Sequence, residues 1–327
     1  MDIALRRITN MAFGYWQSQV LFTLTTAGVF DALAGESRSC AKLAQDLGCD
    51  PEVLERTLNA GVALGLLEFS DVLYSNSPVA TRLLVTGSDE SLASWVRVMG
   101  GWLNAWADLG QYVREGLPGE KVDAAGGASQ RDFILGMHQF AARSAAAVAR
   151  AADFDSPRRM IDVGGGAGTY SIEFARAYPH LKVELLDLSP VLEIAHEVIA
   201  STEVADNIST SVADYLVDSF GSDSDILMFS NVLHQESESM VVDMLQRALA
   251  ALRDGGHVII HSHFLDEQRT GPVFSTLHNL SAVVLWGSGR SYTADEMKAL
   301  VAQAGFQLEP RLLDVPGSTT QLLIARK

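Results

Sequence analysis

Three aspartates stand where a bound nucleoside would need acceptors. Asp162 lies in the apolar run Met160-Ile161-Asp162-Val163 and is followed at once by Gly164, Gly166 and Gly168. Asp187 closes the run Val183-Glu184-Leu185-Leu186. It comes about 20 residues after the glycines, where a βαβ unit places a carboxylate for ribose hydroxyls. Asp214, in Val212-Ala213-Asp214-Tyr215, follows a further run at 207–212 and can accept from an adenine amine, with Tyr215 beside the ring. A fourth run, 225–230, ends on Ser230 and leads into Asn231-Val232-Leu233-His234.

The glycine stretch reads as a sharp turn between a strand and a helix, because glycine adopts positive φ and lets backbone approach a ligand closely. The helix beginning near Tyr170 aims its amide dipoles into that turn. Two ligand classes use such a turn. A dinucleotide needs G-x-G-x-x-G so that its pyrophosphate rests on the helix N-terminus. Here the last glycine comes one place early, and Asp162 just before the turn would repel a pyrophosphate. That acid suits the cationic amino-acid end of S-adenosylmethionine instead. A plain αβ turn with no ligand is the bland alternative. Four strand ends bearing polar groups, all placed where one crevice collects them, weigh against it.

Residues 162–168, Asp187-Leu188-Ser189-Pro190-Val191, Ala213-Asp214-Tyr215 and Val232-Leu233-His234 resemble the signature series of the S-adenosylmethionine-dependent O-methyltransferases typified by plant caffeate and bacterial polyketide enzymes. The resemblance runs nearly end to end. It implies an α/β fold with a class I methyltransferase Rossmann-like sheet, mostly parallel with one antiparallel strand, behind an N-terminal helical winged-helix dimerisation domain. The domains would be 1–105 and 106–327, the second including the linking helices, and the assembly a homodimer. Cofactor contacts would fall on Asp162, Gly164, Gly166, Gly168, Asp187, Leu188, Asp214, Tyr215 and Ser230. His234 matches the family's catalytic histidine, which takes the proton of an acceptor hydroxyl as the methyl group arrives.

The departures from the family are informative. Gln235 replaces the Asp that follows the histidine in plant members, and the carboxylates that flank it would fall near Ser262 and Ser291. An imidazole without a carboxylate to fix its tautomer is a poorer general base. His234, Gln235 and His278 together resemble the metal site of a smaller branch that methylates the carbon next to the keto group of a 2-oxo acid. There a transition metal, here iron or zinc by donor type, stabilises the enolate. This C-methylation is the favoured expectation. O-methylation of a phenolic or hydroxylated secondary metabolite by His234 alone is the alternative. His261 and His263 are further possible ligands, and alternation places both on one strand face. A substrate carboxylate would want an arginine: Arg97 or Arg143, with Arg290 better read as solvated. Trp102 and Met137 would wall the acceptor pocket, with ordinary core packing as the competing reading for any single apolar residue.

Composition sets the frame. The chain has 327 residues, 48% of them hydrophobic, enough for a full α/β core and a smaller domain. A net charge of −16 argues against nucleic acid or anionic membrane as partner. Cys40 and Cys49 alone suggest neither a disulfide framework nor a zinc cluster. No signal-peptide order and no long uncharged apolar stretch appear, so a soluble cytoplasmic enzyme on a small molecule is expected.

The elements that must hold these residues follow from periodicity. Helix is predicted over 12–33 with a break at Ala27-Gly28, over 40–47 after Ser39, over 51–63 after Asp50, in two stretches over 91–115, and over 133–154. The apolar stripe of Phe13, Trp16, Val20, Leu21 and Leu24 suggests burial against a second subunit or an ordinary core. A hairpin at 65–75 completes a winged-helix pattern. The helix 51–63 carries Glu52 and Glu55 beside Arg56, the wrong balance for reading DNA. A loop is predicted at 121–130. Thereafter strands near 160, 183, 208, 226, 257–265, 307–313 and 321–324 alternate with helices at 169–177, 191–200, 238–253, 273–285 and 294–304.

Overall fold

Side-chain caps start the helices where the sequence offers them. The Ser39 hydroxyl accepts from the Lys42 amide and Gly48 ends that helix at φ 65°. The Asp50 carboxylate accepts from the Val53 amide, with Pro51 in the first turn. The computed structural model describes residues 2–117, 127–287, 289–307 and 310–327. It divides into two compact units, one of Met1–Asn104 with Ala125–Phe140, the other of Ala105–Ala124 with Ala141–Lys327.

The first unit carries α1 (Ile3–Thr26), α2 (Val29–Ala32), α3 (Cys40–Leu47), α4 (Pro51–Ala63), the antiparallel hairpin β1 (Leu67–Ser70) and β2 (Leu73–Asn76), α5 (Pro78–Leu83) and most of α6 (Ala93–Ala107). Leu24, Phe30, Leu43, Leu58, Leu67 and Tyr74 form its core. The Tyr74 hydroxyl, otherwise stranded there, donates to Asn59 Oδ1 at 2.8 Å. α1 begins nine residues before the predicted start, with Asp2 as its cap. Leu24 is fully buried, whereas Met11, Phe13, Tyr15 and Trp16 are about half exposed or more. The apolar stripe therefore serves the unit's core only at its C-terminal end.

α7 (Leu109–Glu115) is followed by α8 (Gln130–Ala152), whose first half counts with the first unit and whose remainder counts with the second. Most of the loop expected at 121–130 lies outside the described residues.

The second unit alternates β3 (Arg159–Val163), α9 (Thr169–Ala177), β4 (Lys182–Asp187), α10 (Ser189–Ala200), β5 (Ile208–Val212), β6 (Ser224–Ser230), α11 (Glu238–Ala251), β7 (Leu252–Ser262), α12 (Val273–Ser281), α13 (Ala294–Gln303), β8 (Arg311–Asp314) and β9 (Gln321–Arg326). The sheet order is β5-β4-β3-β6-β7-β9-β8, and β9 alone runs against its neighbours. Every residue of β6 but the last is buried, the mark of a central strand covered on both faces. Leu227 and Phe229 join the core on one side with Met244 and Val301. Ile226 and Met228 join the other with Phe174 and Val148. The class I methyltransferase architecture, with a small antiparallel sheet in the N-terminal region, is what the sequence predicts.

Two differences bear on the site. The helix expected over 273–285 stops at Ser281 and continues as a π-helical turn, Ala282–Trp286. The strand expected over 307–313 is β8, beginning only at Arg311, with residues 308 and 309 outside the described set. No helix among the described residues is long and apolar enough to cross a membrane.

Candidate active site

β3 delivers Asp162 to the foot of the glycine turn. Gly164, Gly166 and Gly168 all have positive φ, at 66°, 58° and 83°. Asp162 is fully buried beneath Gly165: a Cβ on that glycine would come within 2.9 Å of the carboxylate. One carboxylate oxygen accepts from the Ser171 hydroxyl at 2.7 Å; the other, Oδ1, has no hydrogen-bond partner in the protein. Burial, with Asp187 adding repulsion, pushes the Asp162 carboxyl up to about 6. A buried orphan acceptor of this kind fits a cationic ligand group.

Asp187 ends β4 and accepts from the Gly166 amide at 2.9 Å and the Leu188 amide at 2.8 Å. One acid thereby ties the end of its strand to the glycine turn. A Cβ on Gly166 would meet nothing within 4 Å, so the turn's backbone is open for close approach. Leu188, about half exposed, begins α10 beside it. After β5, the Asp214 carboxylate accepts from the Leu216 amide at 2.9 Å. The Tyr215 ring neighbours Gly164, and its hydroxyl donates to Glu236 at 3.3 Å. These contacts bring the predicted nucleoside residues of β3, β4 and β5 to one end of the sheet, as parallel strands with short connections require.

Ser230, at the end of β6, shares a hydrogen bond of 2.9 Å with His261 Nδ1, whose Nε2 meets Thr320 Oγ1 at 2.7 Å. Burial holds His261 down at about 3. His261 is thus committed to Ser230 and Thr320.

His234 follows in a single helical turn, Leu233–Gln235. It is buried, and neither ring nitrogen has a hydrogen-bond partner. Burial, with His278 and His263 nearby, keeps its pKa well below the ordinary histidine value. Its ring packs edge to face against His278 (centroids 4.6 Å apart) and Trp286 (5.0 Å). His263 stands 5.0 Å from His278 and 4.7 Å from Phe274. Burial brings His263 and His278 each down to about 4. The three imidazoles are therefore neutral at neutral pH, and each offers one donor and one acceptor. Gly289 presses on this turn: a Cβ there would lie 2.1 Å from the His234 carbonyl oxygen. Gly289→Ala is expected to displace the turn and cost about 1–3 kcal/mol. A lower melting temperature together with lost turnover would show it; an unchanged melt would refute the close approach.

No metal site is supported at the residues proposed for one. The Gln235 side chain donates to the Asn231 carbonyl at 3.2 Å, and the Nδ1 of His278 meets Ser291 Oγ at 3.3 Å. Among the described residues no three His, Cys, Asp or Glu groups are disposed to hold a metal ion. The expected His234–Gln235–His278 metal site is thus corrected to an edge-packed histidine and tryptophan cluster. The Ser291 hydroxyl is engaged by its contact with His278.

The residues expected on the acceptor side do not all fall in one unit. Arg97, Trp102 and Met137 belong to the first, Arg143 to the second. Arg97 does not wait for a substrate carboxylate: it pairs with Asp132 at 3.2 Å and reaches Thr86 Oγ1 at 3.1 Å, with Asp31 at 3.7 Å. Trp102 and Met137 are half-buried and Arg143 is exposed. Arg290, expected to be solvated, pairs with Glu238 and Glu296 at 3.1 Å each and lies over the Tyr292 ring. Trp286, Thr319 and Glu236 take part in the site without having been singled out. Trp286 closes an apolar stretch that reads as plain core, and only the π-helical turn brings it to His234.

Acid should unfold this protein early. Between the ordinary histidine value of 6.5 and about 4, the unfolded chain takes up protons that folded His263 and His278 refuse. Each costs about 1.4 kcal/mol per pH unit across that window, and the loss levels off below it. Asp162, raised to about 6, works in the opposite sense and offsets one of them. A melting temperature that falls from neutral pH to pH 4 is expected; a flat profile would contradict neutral buried histidines.

Comparison with known proteins follows the same lines. The O-methyltransferase domain matches residues 106–307, and the O-methyltransferase dimerisation domain matches residues 9–86. The chain is 34% identical to the 3-hydroxy-5-methyl-1-naphthoate 3-O-methyltransferase of Streptomyces sahachiroi over 310 residues, 91% of this chain and 88% of that enzyme. It is 30% identical to the acetylserotonin O-methyltransferase of Bos taurus, over 98% of this chain and 97% of that one. The crystal structure of human N-acetylserotonin methyltransferase in complex with S-adenosylmethionine superimposes with a TM-score of 0.87 at 27% identity, over 100% of this chain and 98% of that one. The protein belongs to the O-methyltransferase family and is an S-adenosylmethionine-dependent methyltransferase of small-molecule metabolites.

Proposed function

We propose that the protein methylates a hydroxyl group of a phenolic or hydroxylated secondary metabolite, with His234 as the general base. The observation that carries this reading is a buried histidine at the end of β6 with both ring nitrogens unpaired. The relatives named for hydroxyl methylation support it, and no three His, Cys, Asp or Glu groups among the described residues are disposed to hold a metal ion. The C-methylation of a 2-oxo acid is accordingly set aside in favour of its alternative.

S-adenosylmethionine, when bound, supplies an electrophilic methyl group on a cationic sulfur. Around it, Asp187 accepts from the ribose hydroxyls, and Gly164, Gly166 and Gly168 let the backbone come close. Asp162 Oδ1 takes a proton-bearing cationic group. Asp214 accepts from the adenine amine, with Tyr215, Leu188 and Ser230 about the remaining contacts. His234 would hold the acceptor hydroxyl and take its proton as the methyl group passes to oxygen, the methyl–sulfur bond breaking to leave a neutral thioether. A base of low pKa suffices there, because a hydroxyl oxygen gaining a third substituent becomes oxonium-like and strongly acidic. The partner is a second copy of the chain, met through the dimerisation region, and a cytoplasmic location accords with this chemistry.

The test is a chelator titration on two acceptor panels. Methyl transfer to phenols is expected with full activity after chelation, and none to 2-oxo acids. Chelator-sensitive transfer to a 2-oxo acid would reverse the assignment.

A further inference from the structure

His278 stands between His234 and His263, 4.6 Å from one ring centre and 5.0 Å from the other. The other two imidazoles of this row are not interchangeable with His234. His278 meets Ser291 Oγ through Nδ1, at 3.3 Å, and His263 meets Thr319 Oγ1 through Nδ1, at 3.2 Å. In each the Nε2 side of the ring is left for something else, while both hydroxyls hold the ring orientation. His234 has neither nitrogen engaged.

The walls of the row are flat and apolar. Phe274 stacks within 19° of the His278 plane, and Trp286 lies 6.5 Å from His278 on the side of His234. Such walls accept an aromatic ring system. The charge balance is equally specific. The two arginines nearest in sequence to His263 and His278 are both held by acids: Arg269 by Glu296, and Arg290 by Glu238 and Glu296. All three imidazoles resist protonation because they are buried. Nothing in the row would compensate a carboxylate, and an uncompensated buried charge is strongly disfavoured.

We propose that the acceptor carries a second, uncharged hydrogen-bonding group (a hydroxyl or carbonyl) on the same aromatic ring system as the methylated hydroxyl, and that His278 and His263 hold it. His278 and His263 are then specificity-determining residues, separate from the base. The row's spacing, about one imidazole per step, suits oxygens on non-adjacent ring carbons better than on adjacent ones. This inference rests on the hydroxyl-methylation reading.

The experiment compares kcat/KM for 1-naphthol, a set of dihydroxynaphthalenes, a hydroxynaphthoic acid and its methyl ester. Wild-type protein is expected to prefer at least one diol over the mono-ol by about tenfold, the worth of one neutral hydrogen bond. It should also prefer the ester to the free acid. In His278→Phe and His263→Phe, which keep a flat ring and remove the polar atoms, the diol preference should collapse towards unity. His278→Gln, which restores a donor and an acceptor, should recover part of it. Wild-type transfer without any diol preference, or a preference that persists in both Phe variants, would overturn the second anchor alone. A preference for the free acid would overturn its neutrality. No transfer to any of these hydroxyl compounds would overturn the hydroxyl reading and this one together.

Discussion

Asp187→Ala is expected to weaken S-adenosylmethionine binding roughly 100-fold, the value of a charged acceptor lost from a pair of hydroxyls. The carboxylate has two tasks. In the proposed reading it accepts from the ribose at the end of β4, and it also accepts from the Gly166 and Leu188 amides. Alanine removes the ligand's partner and leaves two amides of the turn unpaired, so a lower melting temperature should accompany the weaker binding. Asp187→Asn separates the two effects. Its single amide oxygen can keep one of the two turn contacts, but the charge is gone, so part of the stability should recover while the affinity does not. Titration calorimetry decides the matter, and an Asp187→Ala protein with wild-type affinity would remove Asp187 from the cofactor site.

His234→Ala should lower kcat by about 10²–10⁴, the range for a positioned general base. Cofactor affinity should stay close to wild type, because the acids assigned to the nucleoside, Asp162, Asp187 and Asp214, lie on or after β3, β4 and β5. The pH profile adds an independent check. His234 is held well below the usual histidine range, so activity should persist on the acid side of 6.5 until the fold itself fails. An acid limb centred at the ordinary histidine value would mean that the base is solvated when it works. Equal kcat in wild type and His234→Ala would sink the role outright.

Much of this site is legible in the chain. Strand ends announce themselves where an apolar run stops on Asp162, Asp187, Asp214 or Ser230, and parallel topology gathers such ends without further information. Ser39 and Asp50 mark helix starts because their side chains satisfy amides that nothing else reaches. The start of α1 is hidden because Arg6, Arg7, Thr9 and Asn10 interrupt its periodicity, although the backbone continues through them. Arg97 is misread as available because its acids, Asp31 and Asp132, are brought in by the tertiary fold. The metal reading fails for a related reason. Sequence supplies His234, Gln235 and His278, but not the direction in which each ring turns. Serine at 291 gives His278 another partner, and the π-helical turn places Trp286 against His234.

The exposed end of α1 has a thermodynamic consequence. Met11, Phe13, Tyr15 and Trp16 leave large apolar surface in water on a single chain. If a second copy covers that surface, part of the burial that stabilises the first unit is contributed between molecules, and mass action governs it. The resistance of this protein to unfolding is then no fixed property of its sequence. It rises with the protein's own concentration and falls on dilution, even though every contact within the chain stays the same.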